Sequence, residues 1–425
     1  EIQSQNSGQL ENIWYLLKEN DGCMGLFLSN NNKADGYPAM VSLACHGQIT
    51  ELDPLTGSKQ EIAVEQTRDG MRWLAEFPPN ASRLYLIDLS AAPAIAPQSF
   101  PARSVNLFAV RPVCAVLAEP AGFVRSHPNA LVLDRCRYAI GDAPLSEEME
   151  LWRAQQQLRE ALGMRQVFYN GLLQRYHWVD TPHPKDGTPV TLFYSFAVEE
   201  LPDRPVYFVT ETPGYFDISL NGTPVPKEDC GWYLDRSFRK LRLDGLKPGS
   251  NELILTCGYQ ERMELEDCFL VGEFGVSHGF GLTREPQTLL HGDWCLQGYP
   301  FYSGSMTYRY LIDHQPSPGK SAVLRLGRVE ATIVTIRVNG ETAGFIPWKA
   351  ADGLDLTPWL RPGKNIIELE VMGSQRNTLG PLHLARQVMK MTNWCSFRSE
   401  GVLYSKAPVL LPYGILEPPA IYWEG

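Results

Sequence analysis

Up to about residue 90, apolar and polar positions alternate in short runs and show no helical spacing. The runs 13–17, 25–29, 39–45, 62–65, 72–77 and 83–89 are rich in β-branched, aromatic and aliphatic residues. Turn formers separate them: Asn30-Asn31-Asn32, His46-Gly47, Asp53-Pro54-Leu55-Thr56-Gly57 and Asp69-Gly70. Strands of this length punctuated by Gly, Pro, Asn and Asp predict a small antiparallel sandwich over 1–92. Residues 91–130 are rich in Pro and Ala, lose the alternation, and read as a connector into a strand at 129–134. One helix is predicted near 145–163. Leu151, Ala154, Leu158, Ala161 and Leu162 recur at helical spacing, Ser146 behind Pro144 offers an N-cap, and Gly163 offers a stop. Met149 stands where a full capping box needs Glu or Gln.

Beyond the helix the chain repeats itself. The apolar run 191–198 corresponds to 306–313, Ile218 to Gly222 corresponds to Ile336 to Gly340, and Pro248-Gly249 with Asn251 corresponds to Pro362-Gly363 with Asn365. The interval is above roughly a hundred residues, far beyond the ~20–50 of solenoids, so the unit is a duplicated domain. Asn-Gly between alternating apolar runs supplies the two positive-φ residues of a type I′ hairpin. Pro-Gly-x-Asn makes a second tight turn into a core strand. In the later copy, the alternating strand Leu354-Asp355-Leu356-Thr357 ends at Pro358. The fold class expected is all-β: tandem antiparallel β-sandwiches, two of them duplicated jelly rolls, with one short helical insertion. The boundaries read as 1–92, 93–277 and 278–425.

Composition narrows the partners. The 425 residues carry a net charge of −10, with Lys and Arg scattered and no basic stripe. Nucleic-acid surfaces need concentrated positive charge, so that partner is not expected. No apolar run reaches the ~18 residues of a membrane helix, and the nearest, 105–121, is broken by Arg111 and prolines. No membrane partner is expected. Nine cysteines, at 23, 45, 114, 136, 230, 257, 268, 295 and 395, form no CxxC pair and sit mostly in apolar runs. They read as reduced, buried thiols and favour a reducing, cytoplasmic compartment. The chain opens at Glu1, with strand-like sequence close behind, and reads as a piece of a longer polypeptide.

A resemblance enters at Val338-Asn339-Gly340 through Gly344, Leu354-Asp355-Leu356-Thr357, and Leu360-Arg361-Pro362-Gly363-Lys364-Asn365 with the apolar strand to Val371. This pattern resembles the galactose-binding-like, sugar-binding jelly-roll domain of glycoside hydrolase family two. Upstream, 294–304 looks like the approach to that domain in family-two-like and rhamnosidase-like enzymes. Asp53 to Gly57 looks like their small post-barrel sandwich, and Tyr413 to Pro418 like their closing strand. The match is specific over about 290–420 and looser over 185–275, where Gly222 lacks a following Gly and Lys240 to Asp244 replaces Asp-Leu-Thr. Over 1–90 it is a likeness of pattern only. The resemblance implies a catalytic barrel with two carboxylates N-terminal to this segment. A barrel needs ~250 residues of alternating strand and helix, which this chain does not offer.

The expected function is therefore a non-catalytic β-sandwich region of a glycoside hydrolase. Its expected partners are carbohydrate and the catalytic barrel of the same polypeptide. A free-standing carbohydrate-binding protein and a structural or interaction module are the alternatives. Paired acids ~5–10 Å apart are the signature of glycoside cleavage. The densest acidic run, Glu261, Glu264, Glu266 and Asp267, reads as a solvated loop, with a catalytic pair or a structural calcium site as its other reading. No other metal or cofactor is called for.

Trp178, Asp180 and His183 share one loop with Asp186. There a sugar could stack on the indole while the acids and imidazole take hydroxyls, unless the loop is only a Pro-rich turn. Asp293, Trp294, Gln297, Tyr299 and Tyr302 form the richest aromatic–polar run. They either line a glycan-facing cleft or pack between the jelly rolls. Trp348 follows Pro347 in a loop, whereas Trp359 reads as core. Arg376, Asn377 and His383 lie on a loop that faces the catalytic domain in the resembling enzymes. No nucleophile elbow, zinc helix or phosphate loop is present, and no catalytic residue is assigned.

Overall fold

The computed structural model describes residues 2–4, 12–32, 35–54, 57–93, 113–166, 181–347, 353–385, 396–397 and 400–424. It is an all-β protein of several antiparallel sandwiches. Among the described residues every strand pair is antiparallel except a parallel bridge at Val198 and Leu282.

The first sandwich sets Ile2–Ser4, Tyr37–Leu43, Gly70–Phe77 and Glu65–Thr67 in one sheet. The facing sheet holds Ile13–Asn20, Cys23–Asn30, Ser82–Asp88, Gln48–Leu52 and Lys59–Ile62. Alternation along Gly70–Phe77 turns Met71, Trp73, Ala75 and Phe77 inward, and Trp73 meets Tyr85 edge-on at 5.3 Å. Gly70 is obligatory at its site, since a Cβ there would lie 2.0 Å from the Leu43 carbonyl.

The second sandwich is built on the 11-residue strands Thr188–Val198 and Gly249–Tyr259, paired along their full length. Its other sheet centres on Cys268–Gly272, flanked by Asn129–Leu133 and Val206–Glu211. The third pairs Gly363–Met372 with Ser305–His314 on one side and Ile333–Val338 on the other, facing a sheet of Ser321–Arg325 and Ala420–Glu424.

The repeat is reproduced atom for atom at its turns. Asn221 and Asn339 have φ of 51° and 52°, and the glycines after them 81° and 87°. Each donates from Nδ2 to a partner asparagine, Asn221 to Asn251 at 2.9 Å and Asn339 to Asn365 at 2.8 Å. Asn251 and Asn365 in turn donate to the carbonyls of Lys247 and Arg361, both at 2.7 Å. They accept the amides of the same two residues at 3.0 and 2.9 Å. Both partner asparagines are buried, so each turn satisfies its polar groups internally.

Three expectations are corrected. The supposed connector contains strands of the third sandwich: Val113–Val116 pairs with Ala420–Glu424, and Gly122–Arg125 with Ser305–His314. These four-residue strands find partners far along the chain, a pairing that no local pattern reveals. The helix spans Leu151–Leu162, and Ser146 does not cap it; the Ser146 hydroxyl accepts the Tyr138 amide at 2.9 Å instead. Gly163 does end it in the left-handed conformation, φ 67°.

The acidic run, third, is only partly the solvated loop expected: Glu266 is exposed, Glu264 and Asp267 are half-buried, and Glu261 is buried. Glu261 is 2% exposed and accepts the Arg165 amide at 2.9 Å. The buried Arg159 of the helix donates to the carbonyls of Glu261 and Met263 at 2.6 and 2.9 Å, and to the Tyr259 hydroxyl at 2.9 Å. A guanidinium that saturates its donors on backbone carbonyls staples the loop to the helix.

Candidate functional site

Trp178, Asp180 and Trp348 lie outside the described residues. His183 is part of a closed turn: its amide donates to Asp186 at 2.9 Å and its Nδ1 accepts the Lys185 amide at 3.2 Å. The aromatic run is interior. Trp294, Tyr299 and Tyr302 are each 0% exposed, and the Trp294 ring stacks on Tyr413 at 5.7 Å and meets Tyr302 edge-on at 5.8 Å. The Tyr302 hydroxyl accepts the amides of Ser126 and His127 and donates to the Ser305 carbonyl at 2.9 Å. Asp293 accepts the Cys295 and Tyr413 amides, and Gln297 clasps both the amide and carbonyl of Leu290. Asn377 is buried, donating to and accepting from the Leu411 backbone. Trp359 packs half-buried against the third core. Of this set there remain the half-buried Arg376 and the buried His383.

His383 belongs to the recess that best answers to a functional site. It opens between the second and third sandwiches, with about 390 Å³ of empty space continuous with solvent. Asp134, Glu150, Asp267 and His383 supply its polar walls, while Trp152 and Phe397 supply aromatic ones. The sheet register explains the acids. Leu133 pairs with Cys268, so Asp134 and Asp267 are the next residues off the same ends of two adjacent strands. Asp134 closes an apolar run and Asp267 opens one, which leaves both carboxyls at the sandwich rim. Trp152 stands on the first turn of the helix.

His383 is 6% exposed. Its Nε2 lies 2.6 Å from Asp134 Oδ2, and its Nδ1 lies 2.7 Å from the Ser405 carbonyl. Burial opposes charge on the ring, yet the Asp134 carboxylate and the Ser405 carbonyl hold its pKa above the ordinary imidazole value. Burial, then repulsion from Asp134 and Glu266, pushes the Asp267 carboxyl well above the usual carboxylate range. Glu150 goes the other way. Burial works against its charge, but the Tyr404 hydroxyl and Arg135 hold it below the usual range. Two acids of one recess are thus shifted in opposite directions. Among the described residues no three His, Cys, Asp or Glu are grouped to hold a metal ion.

His383 was legible as a loop histidine in the resemblance. Asp134, Glu150 and Trp152 were not singled out, and Asp267 was read only as part of its acidic run. The available signal was an acid at the end of each of two buried strands, meaningful only once those strands are known to pair.

No protein family matches the chain, and neither does any curated protein. Among solved structures, a rhamnosidase from Novosphingobium sp. PP1Y is 13% identical with a TM-score of 0.42, covering 100% of this chain and 25% of that one. The α-L-rhamnosidase of Streptomyces avermitilis is 11% identical with a TM-score of 0.24, covering 93% of this chain and 36% of that one. A GH2 β-galacturonidase from Eisenbergiella tayi is 11% identical with a TM-score of 0.20, covering 58% and 37%. This chain spans between a quarter and somewhat over a third of those proteins. The relation is a weak one to glycoside-hydrolase folds, and the description of the fold rests on the sheets themselves.

Proposed function

We propose that this chain is a non-catalytic β-sandwich region of a glycoside hydrolase, supporting a catalytic barrel and adding edges to the carbohydrate cleft. The observation that carries the reading is the asparagine-locked turn at Asn339 and Asn365, set in the stretch that resembles the family-two sugar-binding jelly roll. The recess supports it further. A hydroxyl-rich ring suits a site lined by an indole, a phenyl ring and carboxyl groups. Its openness fits a wall completed by another part of the protein.

The test is calorimetry of this chain with a panel of oligosaccharides, alongside aryl-glycoside assays. An accessory region gives little heat and no turnover. Submillimolar glycan binding that Trp152→Ala abolishes would favour a free-standing carbohydrate-binding protein. Turnover that Asp134→Asn or Asp267→Asn removes would overturn the non-catalytic reading.

A further inference from the structure

The segments 382–385 and 403–405 form a small ribbon. Ala385 donates to the Leu403 carbonyl at 2.7 Å, Ser405 to the His383 carbonyl at 2.9 Å, and Leu384 bridges Tyr404. The ribbon lies against the acidic rim of the second sandwich, and Leu382, 5% exposed, is inserted in that sandwich's core. His383 and Tyr404 are the ribbon's polar contacts with the rim, on Asp134 and Glu150, and of the two His383 is the one that titrates near neutral pH.

The geometry counts its protons. The Ser405 carbonyl can only accept, so Nδ1 carries a hydrogen. At 2.6 Å a proton must also lie between Nε2 and Asp134 Oδ2. The docked His383–Asp134 pair therefore holds one proton more than a neutral imidazole beside a carboxylate, an imidazolium in its ionic form. The charged and titratable groups around it come from every element packed there. Asp134 and Arg135 flank the junction of two strands, Glu150 precedes the helix, Glu266 and Asp267 lead into Cys268–Gly272, and Tyr404 faces the ring at 5.8 Å. Arg135 is committed to Glu150 and Glu148. The imidazolium is thus the cation that offsets Asp134 and Asp267.

We propose that this ribbon is a proton-dependent latch: imidazolium at His383 holds it to the acidic rim of the second sandwich, and loss of that proton lets it detach. The sign follows from linkage. A group that binds its proton more tightly when docked stabilises the docked state below its ordinary pKa, and the benefit is lost as pH rises through the raised value. For His383 the window opens at about 6.5 and extends upward. The latch is closed in acid and loosens toward alkaline pH. The inference holds whatever the protein binds.

Hydrogen exchange on the full chain tests it, with rates corrected for intrinsic pH dependence. Protection of peptides covering 380–385 and 400–405 should fall about tenfold between pH 6 and 8, while the core strand Gly249–Tyr259 stays constant. His383→Gln should give low, pH-independent protection in the ribbon alone. Asp134→Asn should return the His383 imidazole signal, followed by NMR, to an ordinary midpoint. A flat profile in the unmodified protein overturns the latch without recourse to any variant, as does a His383 midpoint at or below 6.5.

Discussion

The second and third sandwiches share a turn and differ in what holds them together. Both close the same hairpins with an asparagine pair whose hydrogen bonds agree within about 0.3 Å. Around that common element the third sandwich packs aromatic rings, with Trp294, Tyr299, Tyr302, Tyr308 and Tyr310 all buried. The second adds a helix and joins it to the loop 260–267 through a buried arginine. It also carries acids at the paired ends of two core strands. The turn is the part that duplication preserved. The candidate site lies where the copies diverge, as a scaffold with local chemistry grafted onto it should have it.

Substitutions can break or sharpen this contrast. The largest effect is expected at Trp294 in the third sandwich. Trp294→Ala should cost about 3–5 kcal/mol, because the ring fills space between Tyr302 and Tyr413. A negligible loss of chemical stability would show that the indole is not core. Next comes Arg159→Met in the second sandwich, expected to cost roughly 3 kcal/mol by stranding the carbonyls it serves. Limited proteolysis should then cut first within 260–267.

Asn251→Ala and Asn365→Ala should each cost about 2 kcal/mol, since both leave buried backbone groups unpaired. Urea unfolding should show nearly equal losses, and unequal ones would mean that the copies are not energetically alike. The smallest effect is expected at Asp267. Asn there mimics the protonated acid, so Asp267→Asn should be near neutral at pH 4. It should become progressively stabilising relative to the unmodified protein as pH rises, because the raised carboxyl no longer has to give up its proton. Melting temperatures across that range check the sign.

Legibility from sequence followed the range of the interactions. Asn221-Gly222 and Asn339-Gly340 announce their hairpins because positive φ is a property of one or two residues. Gly163 announces the helix end for the same reason. The helix start was misplaced because Ser146 has a better use, closing the turn before it on the Tyr138 amide. The aromatic run suits carbohydrate by composition, but tyrosine and tryptophan rings also fill a core, and Tyr302 does so with its hydroxyl on backbone.

By itself the sequence determined the sheet-only architecture, the duplicated turn and the punctuation of most strands. These depend on alternation and on backbone torsions, which each residue brings with it. Tertiary structure alone decided that strands near 113–125 complete the last sandwich, that Glu261 of the acidic loop is buried, and that Asp134, Asp267 and His383 meet. Those outcomes depend on which distant segments become neighbours. The free energy of a buried charge or an edge pairing is set by the groups that arrive beside it, and no local pattern encodes them.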